Sequence, residues 1–347
     1  RRRRDEDELQ SPIVVVGDLA IAAPRGDATM LSFLVATLLG FPLSQPDRRG
    51  VLRLAGAALA SSPAVRSASA APTPGPITTL STGEAFPLAS FGLQIYDDAT
   101  AEKLTRVALD EGYRNFFASV LAGNQRGFAK AVAASSVPRS DLFICGSVVS
   151  NRADTFSRAY ELTKRGCQQN VEAFAVGGIK TLDMIMLDYP ALTCDAIRGQ
   201  WSAFEEMKAA GLVRTLAVSN FSPSQLDCIL GVKGATPPLV NQLPYSVSYN
   251  DPTAVAANAK RGVLVQAWSP LAAGRLPPSA RQACAEVGEK YGKSAQQVAL
   301  RWIVQSGAAF TTQTKKREHF KEDLELFDFE LSADEMKALG KLRIDPQ

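Results

Sequence analysis

Histidine is almost absent from this chain: its 347 residues contain one, His319. Cysteine is sparse as well, with five (Cys145, Cys167, Cys194, Cys228 and Cys284), and these form no C-x-x-C pair and no His/Cys cluster. Zinc sites are built from such clusters, so no metal is expected. The odd count leaves at least one thiol unpaired, and the apolar surroundings of most of the five predict buried structural thiols. Cys145, in the run LFICGSV, is the one expected near a strand end. An excess of one charge is also missing, since the net charge is +3, which argues against a nucleic-acid partner. No long apolar run is present. MLSFLVATLLGF (Met30–Phe41) falls short of the roughly 20 residues that span a bilayer.

What remains is the composition of an enzyme-sized globular chain, 46% hydrophobic and 21% charged. Residues 1–71 stand apart, being rich in Arg, Ala and Ser without strand or helix periodicity. They read as a targeting presequence. Within it, 30–41 has signal-peptide length, and Met30 is a candidate translation start. Residues 48–70 (RRGVLRLAGAALASSPAVRSASA) combine paired arginines, a moderately apolar core and an Ala-x-Ala site, the pattern of a twin-arginine signal. Two signals in series resemble the presequences of thylakoid-lumen proteins in algae with secondary plastids. A single presequence to the plastid stroma is the alternative. The folded part is then 72–347, with no membrane insertion of the mature chain.

Along 72–347 a short apolar run, a loop and a helical pattern repeat, which is the mark of a parallel α/β sheet. Strands are expected near Ser90–Gln94, Arg114–Phe117, Leu142–Ser147, Asp183–Asp188, Val213–Ser219, Leu239–Gln242, Val263–Trp268 and Ala309–Gln313, with helices between them. One of these helices is expected over Gln168–Phe174, and Leu276–Tyr291 reads as an extra loop and helix. Three strand ends close on polar or aromatic clusters: AVSNFS (Ala217–Ser222), VNQLPY (Val240–Tyr245) and VQAWSPL (Val265–Leu271). Adjacent residues of a strand point to opposite faces, so only one of Asp188 and Tyr189 can face the mouth. About 250 residues suffice for a (β/α)8 TIM barrel, whose active sites gather at such ends.

At these segments, and at LSTGEAFPLASFGLQ (Leu80–Gln94), EGYRN (Glu111–Asn115), RSDLFI (Arg139–Ile144), EEMKAAGLVRTLAVSNFS (Glu205–Ser222) and FDFELSADEM (Phe327–Met336), the chain resembles the aldo-keto reductases. The resemblance implies a (β/α)8 barrel with an N-terminal β-hairpin that binds NADP(H) at the C-terminal strand ends. It also implies a reaction: carbonyl reduction by hydride, with a tyrosine as acid, a lysine and an aspartate to tune it, and a histidine to orient the carbonyl. A phenol of ordinary pKa about 10 needs the neighbouring cation to give up its proton near neutrality.

None of the four is found where the motifs place them. GYRNFFASVLAGNQ (Gly112–Gln125) puts Phe117 at the aspartate and Ala122 at the tyrosine, with Asn124 keeping the register. DLFICGS puts Ser147 at the lysine, and MIMLDYP puts Asp188 at the histidine. Of these only Asp188 can act as an acid, beside apolar neighbours that would raise its pKa. A carboxylate bonded to loop amides or to Ser147 is the plainer reading.

The cofactor side reads differently. By resemblance Ser219, Asn220 and Gln242 hold the nicotinamide carboxamide, Trp268 supplies its ring surface, and Ser269 and Leu271 lie along the pyrophosphate. At the adenosine end, TTQTKKREHFKED (Thr311–Asp323) keeps Thr314, Glu322 and Asp323, but Gln313 and His319 stand where the family has a lysine and an arginine. A weakened 2′-phosphate site follows, partly restored if Lys315, Lys316 or Arg317 turn inward. NADP(H) or NAD(H) is the cofactor implied. Two activities stay open: a pseudoenzyme that binds a nucleotide, a small molecule or a protein partner, and a divergent NAD(P)H-dependent reductase of aldehydes or ketones with Asp188 or water as proton source.

Overall fold

A computed structural model describes residues 75–272 and 276–343. The expectations for 1–71 lie outside the described residues. The chain enters through an antiparallel hairpin of β1 (Ile77–Thr79) and β2 (Ala85–Pro87), paired from Ile77↔Pro87 to Thr79↔Ala85. Eight parallel strands follow: β3 (Ala89–Gly92), β4 (Asn115–Phe117), β5 (Phe143–Val148), β6 (Leu182–Asp188), β7 (Val213–Ser219), β8 (Val240–Pro244), β9 (Leu264–Trp268) and β10 (Ala309–Thr312). They pair in sequence order, and β10 returns to β3 to close the barrel. The expected (β/α)8 barrel with its N-terminal hairpin is therefore the observed architecture.

The connecting helices are α1 (Asp98–Asp110), α2 (Gln125–Ala133), α3 (Phe156–Ala175), α4 (Cys194–Ala209), α5 (Pro223–Leu230), α6 (Ala254–Ala259), α7 (Pro278–Tyr291), α8 (Ala295–Gln305), α9 (Arg317–Leu324) and α10 (Ala333–Gly340). Their starts are written in the chain. Asp97, Thr155 and Thr193 accept a first-turn backbone N–H, and Ser222, Ser294 and Ser332 form full capping boxes with Gln225, Gln297 and Glu335. Each cap contributes about 1 kcal/mol and sets the phase in which a helix meets the barrel.

One helix is far longer than its sequence pattern suggests. α3 spans 20 residues rather than the seven of Gln168–Phe174, because its buried face is made of Ala159, Thr163, Gly166, Cys167 and Asn170. Small and polar residues give no apolar periodicity, yet they allow a close approach. A Cβ on Gly166 would lie 2.4 Å from Val148 Cγ1, and one on Gly199 of α4 would lie 2.2 Å from the Phe156 carbonyl oxygen.

Two cores result. One lies between strands and helices. The other fills the barrel with Phe117, Phe143, Cys145, Met184, Met186, Ala217, Val240 and Ala309, and the hairpin side chains Leu80 and Phe86 close its lower end. Because side chains alternate along a strand, the interior set on β5 and β6 also fixes which strand-end residues face the mouth: Ser147 continues Phe143 and Cys145, and Asp188 continues Met184 and Met186. β5 and β6 are buried throughout, as strands covered on both faces should be.

Candidate cofactor and ligand site at the barrel mouth

The ends of β6, β7, β8 and β9 meet in register at the mouth, Asp188↔Ser219 and Ser219↔Gln242, with Trp268 two residues beyond Gln266, the register partner of Gln242. One hydrogen-bonded chain joins three of these strands. Trp268 Nε1 donates to Asn220 Oδ1 at 3.1 Å, and Asn220 Nδ2 donates to Ser219 Oγ at 2.8 Å and to Asp188 Oδ1 at 3.4 Å. Gln242 lies beside it, donating from Nε2 to Gln266 Oε1 at 2.8 Å. The four residues expected to cradle a nicotinamide are thus gathered on one wall, and Asp188 joins them.

The backbone at these strand ends is unusual. Tyr189, Asn220, Ser269 and Ala272 have φ of 70, 65, 50 and 50°, in the left-handed region that favours glycine. Such conformations cost about 1–3 kcal/mol each and collect where a fold must aim a group for function. The turn at β6 sends Tyr189 outward, where it is exposed, and leaves Asp188 buried in the mouth. At β9, Ser269 begins a turn closed by Ala272 N–H on the Ser269 carbonyl at 2.9 Å, carrying the half-buried Leu271.

On the opposite side none of the four residues Phe117, Ala122, Ser147 and Asp188 is a cation. Phe117 is buried in the barrel core, and Ala122 sits half-buried in the β4–α2 loop. Ser147 is buried, and its Oγ accepts the Val120 N–H at 3.2 Å, so it pins that loop rather than meeting Asp188. Asn124 completes the loop, taking the Ser119 N–H on Oδ1 and donating to the Tyr96 carbonyl. Asp188 is 3% exposed, and its Oδ2 is buried without a hydrogen-bond partner. Burial pushes its carboxyl up to about 6, offset in part by hydrogen bonds from Ser219 and Asn220.

At the adenosine end Gln313 and His319 are exposed. Thr314 Oγ1 meets His319 Nδ1 at 3.1 Å and accepts the Lys316 N–H, ordering the approach to α9. Arg317 turns away to pair with Glu111 at 2.7 Å and Asp110 at 3.3 Å, and the Lys315 ammonium lies 5.8 Å from the centre of the Tyr96 ring. Glu322 is half-buried. Asp323 points inward instead, accepting from Tyr113 Oη at 3.2 Å, and burial pushes its carboxyl up to about 7. Thr314 is buried and Asp323 belongs to the packing of α9 on the barrel.

A charged cleft of about 570 Å³ lies at the other end, beneath the hairpin, lined by Arg114, Asp141, Asp183 and Arg214 among others. Its buried carboxylate is satisfied: Asp183 pairs with Arg139 at 2.7 Å and Arg214 at 3.0 Å and takes the Ile144 N–H. Such a cluster at the N-terminal face serves stability. Among the described residues no group of three or more His, Cys, Asp or Glu side chains converges as metal ligands.

The cysteines hold one feature that the sequence did not reveal. Cys194 and Cys228, 34 residues apart, form a disulfide between the start of α4 and α5 with Cα atoms 5.4 Å apart. Spacing could not find it, because the pair is made by neighbouring helices of the ring and not by a motif. Cys145, Cys167 and Cys284 are buried free thiols. Cys145 lies inside the barrel below Ser147 rather than at the mouth, and burial raises its pKa far above the ordinary thiol range, which makes it unreactive.

The comparisons with known proteins agree with this geometry. Residues 88–344 match the model of the aldo/keto reductase family. An aldo-keto reductase of Mycolicibacterium vanbaalenii is 30% identical over 267 residues, 77% of this chain and 92% of that protein. One from Mycobacterium avium is 29% identical over 279 residues, 78% and 94% of the two chains. The crystal structure of an aldo/keto reductase from Brucella melitensis superposes with a TM-score of 0.70 at 25% identity, covering 77% of this chain and 99% of that one. Strand order, hairpin, mouth and relatives lead to one conclusion: the chain belongs to the aldo/keto reductase family.

Proposed function

We propose that this protein is a pseudoenzyme of its family, one that binds a nicotinamide nucleotide or another small molecule at the barrel mouth and does not perform carbonyl reduction by the family's route. The reading is carried by the motifs of the sequence: matched to those of the family, they put Phe117, Ala122, Ser147 and Asp188 at the positions of the proton-donating machinery, and none of these is a phenol or a cation. Reduction of a carbonyl to an alcohol needs a hydride and a proton. A bound nicotinamide supplies only the hydride.

The cradle side supports binding. The carboxamide of a nicotinamide has two donors and an acceptor, and Ser219, Asn220 and Gln242 offer both kinds of partner within one wall. The half-buried Trp268 indole presents a ring surface beside them. At the far end the exposed Gln313 and His319 replace two cations, so NAD(H) should be held about as well as NADP(H). A second reading keeps a specific observation of its own: with a carboxyl near 6, Asp188 is protonated in mild acid and could serve a divergent reductase as proton donor.

Residence in a plastid, in the thylakoid lumen rather than the stroma, is part of the proposal. The Cys194–Cys228 disulfide, exposed at Cys194 and half-buried at Cys228, is consistent with an oxidising compartment. Protease protection of the imported protein in isolated thylakoids tests it.

Cofactor binding is tested through tryptophan fluorescence. Trp201 and Trp302 are buried and donate to backbone carbonyls, whereas Trp268 stands at the mouth. NADPH and NADH should quench the emission of the protein and not that of Trp268→Phe. No quench and no thermal shift at millimolar cofactor would contradict nucleotide binding.

A further inference from the structure

The mouth has exchanged hydrogen-bond donors for an acceptor. The family's acid and its orienting group both give a hydrogen bond to a carbonyl oxygen, so that site is shaped for an acceptor. Here Phe117 and Ala122 have nothing to give, and Ser147 is tied to the Val120 N–H. Asp188 offers a buried oxygen, Oδ2, without a hydrogen-bond partner, while Asn220 and the Ser219 hydroxyl act on the same carboxyl. Leaving a buried acceptor unmet costs about 1–3 kcal/mol, more when it is charged. The fold bears that cost at the C-terminal end of a barrel strand, the end at which this architecture reads its ligands.

Resting on the binding role proposed above, we propose that the mouth takes an apolar primary amine, whose ammonium group meets Asp188 Oδ2. One free oxygen suits one N–H. Oδ1 already accepts from Asn220, so the two-pronged grip of a guanidinium is not available, whereas a compact ammonium needs a single acceptor. A metal cation is disfavoured, since no second carboxylate, thiolate or imidazole converges with Asp188 among the described residues. Ser219 Oγ and Asn220 Oδ1, in the same network as Asp188, are further acceptors for the remaining donors of an ammonium.

The surroundings select the rest of the molecule. The half-buried Trp268 ring stands at the mouth, and aromatic faces attract ammonium groups and pack well on hydrocarbon. Large apolar side chains stand exposed on the loops of this same end: Ile95 after β3, Leu121 after β4, Tyr189 and Leu192 after β6, and Tyr249 after β8. A rim of that kind favours an aryl or alkyl body over a sugar. Entry requires a small change, because Oδ2 is covered.

The charge state supports the fit. With its carboxyl near 6, Asp188 is ionised at pH 8 and protonated at pH 5. The titratable groups facing it are the Cys145 thiol from β5 and the adjacent Tyr189 phenol. Both are shifted upward, so neither changes charge in that interval. From β7 it meets only the neutral Ser219 and Asn220.

Calorimetric titration of the full chain with benzylamine, benzyl alcohol, benzaldehyde and benzoate at pH 8 tests the inference. Benzylamine should bind at least tenfold tighter than the other three, lose affinity as pH falls through about 6, and lose its advantage in Asp188→Asn. Equal affinity for amine and alcohol, tighter binding of benzaldehyde, unchanged amine binding in Asp188→Asn, or no benzylamine binding at millimolar concentration would each overturn it. The pH series on the unaltered protein decides the matter even if the variant fails to fold. Failure here is separable from failure of the pseudoenzyme reading, which falls if NADPH is consumed with an aldehyde or ketone such as benzaldehyde.

Discussion

Replacing Asp188 by asparagine should stabilise this protein at pH 8 and leave it unchanged at pH 4. Burial lifts the carboxyl from an ordinary 3.8 to about 6. A folded-state pKa above the unfolded value means that the native state holds its proton more tightly, so stability falls as pH rises between the two values. Two units correspond to about 3 kcal/mol of stability at 1.36 kcal/mol each, fully present below about pH 4 and lost above about pH 6. Asparagine is close in shape and carries no charge, so the variant escapes that loss. In a domain of this size the gain is about 6–12 °C in melting temperature at pH 8. Asp323, also raised, contributes a slope of the same sign to both proteins and cancels in the difference. Thermal melts of protein and variant from pH 4 to 8 give the answer. A variant less stable at pH 8, or a difference that ignores pH, would mean that the carboxylate has a cationic partner and that the unmet acceptor described above does not exist.

Other consequences are equally open to measurement. Cys194→Ser should lower stability by about 4 kcal/mol under oxidising conditions, the value for a loop closed across 34 residues, and by little in excess reductant, read by denaturant unfolding. Gly199→Ala should cost about 1–3 kcal/mol in the same assay, because the added methyl meets the Phe156 carbonyl and a backbone atom cannot step aside. Gln313→Lys with His319→Arg should tighten NADPH at least tenfold with little effect on NADH, since a hydrogen bond to a charged group is worth about 1.5–3 kcal/mol, as followed by Trp268 quenching. Restoring Phe117→Asp, Ala122→Tyr, Ser147→Lys and Asp188→His together should create aldehyde-dependent NADPH oxidation in a chain that folds.

The barrel was legible because its strands are apolar on both faces and its helices begin at Ser, Thr or Asp caps. MIMLDYP and TLAVSN end on the residues that register then places side by side, Asp188 and Ser219. What stayed hidden has a common cause: it depends on contacts between elements. The long α3 packs through glycine and small polar residues, which leave no periodic signal. The disulfide joins two helices that become neighbours only when the ring closes. Asp323 occupies a nucleotide-facing position in the motif and yet turns to Tyr113, a choice set by the packing of α9. The inward face of Asp188 followed from alternation alone. Its unmet oxygen could be seen only with Ser147 engaged by Val120 and Asn220 engaged by Trp268.

The central claim is that one wall of the mouth still holds a nicotinamide while the other has lost the means to deliver a proton. Steady-state oxidation of NADPH by the unaltered protein, at cofactor concentrations that saturate Trp268 quenching and across a panel of aldehydes and ketones, tests it most directly. The account predicts consumption no faster than without protein. Turnover at ordinary reductase rates, abolished in Asp188→Asn, would contradict it and make Asp188 the acid of a working enzyme.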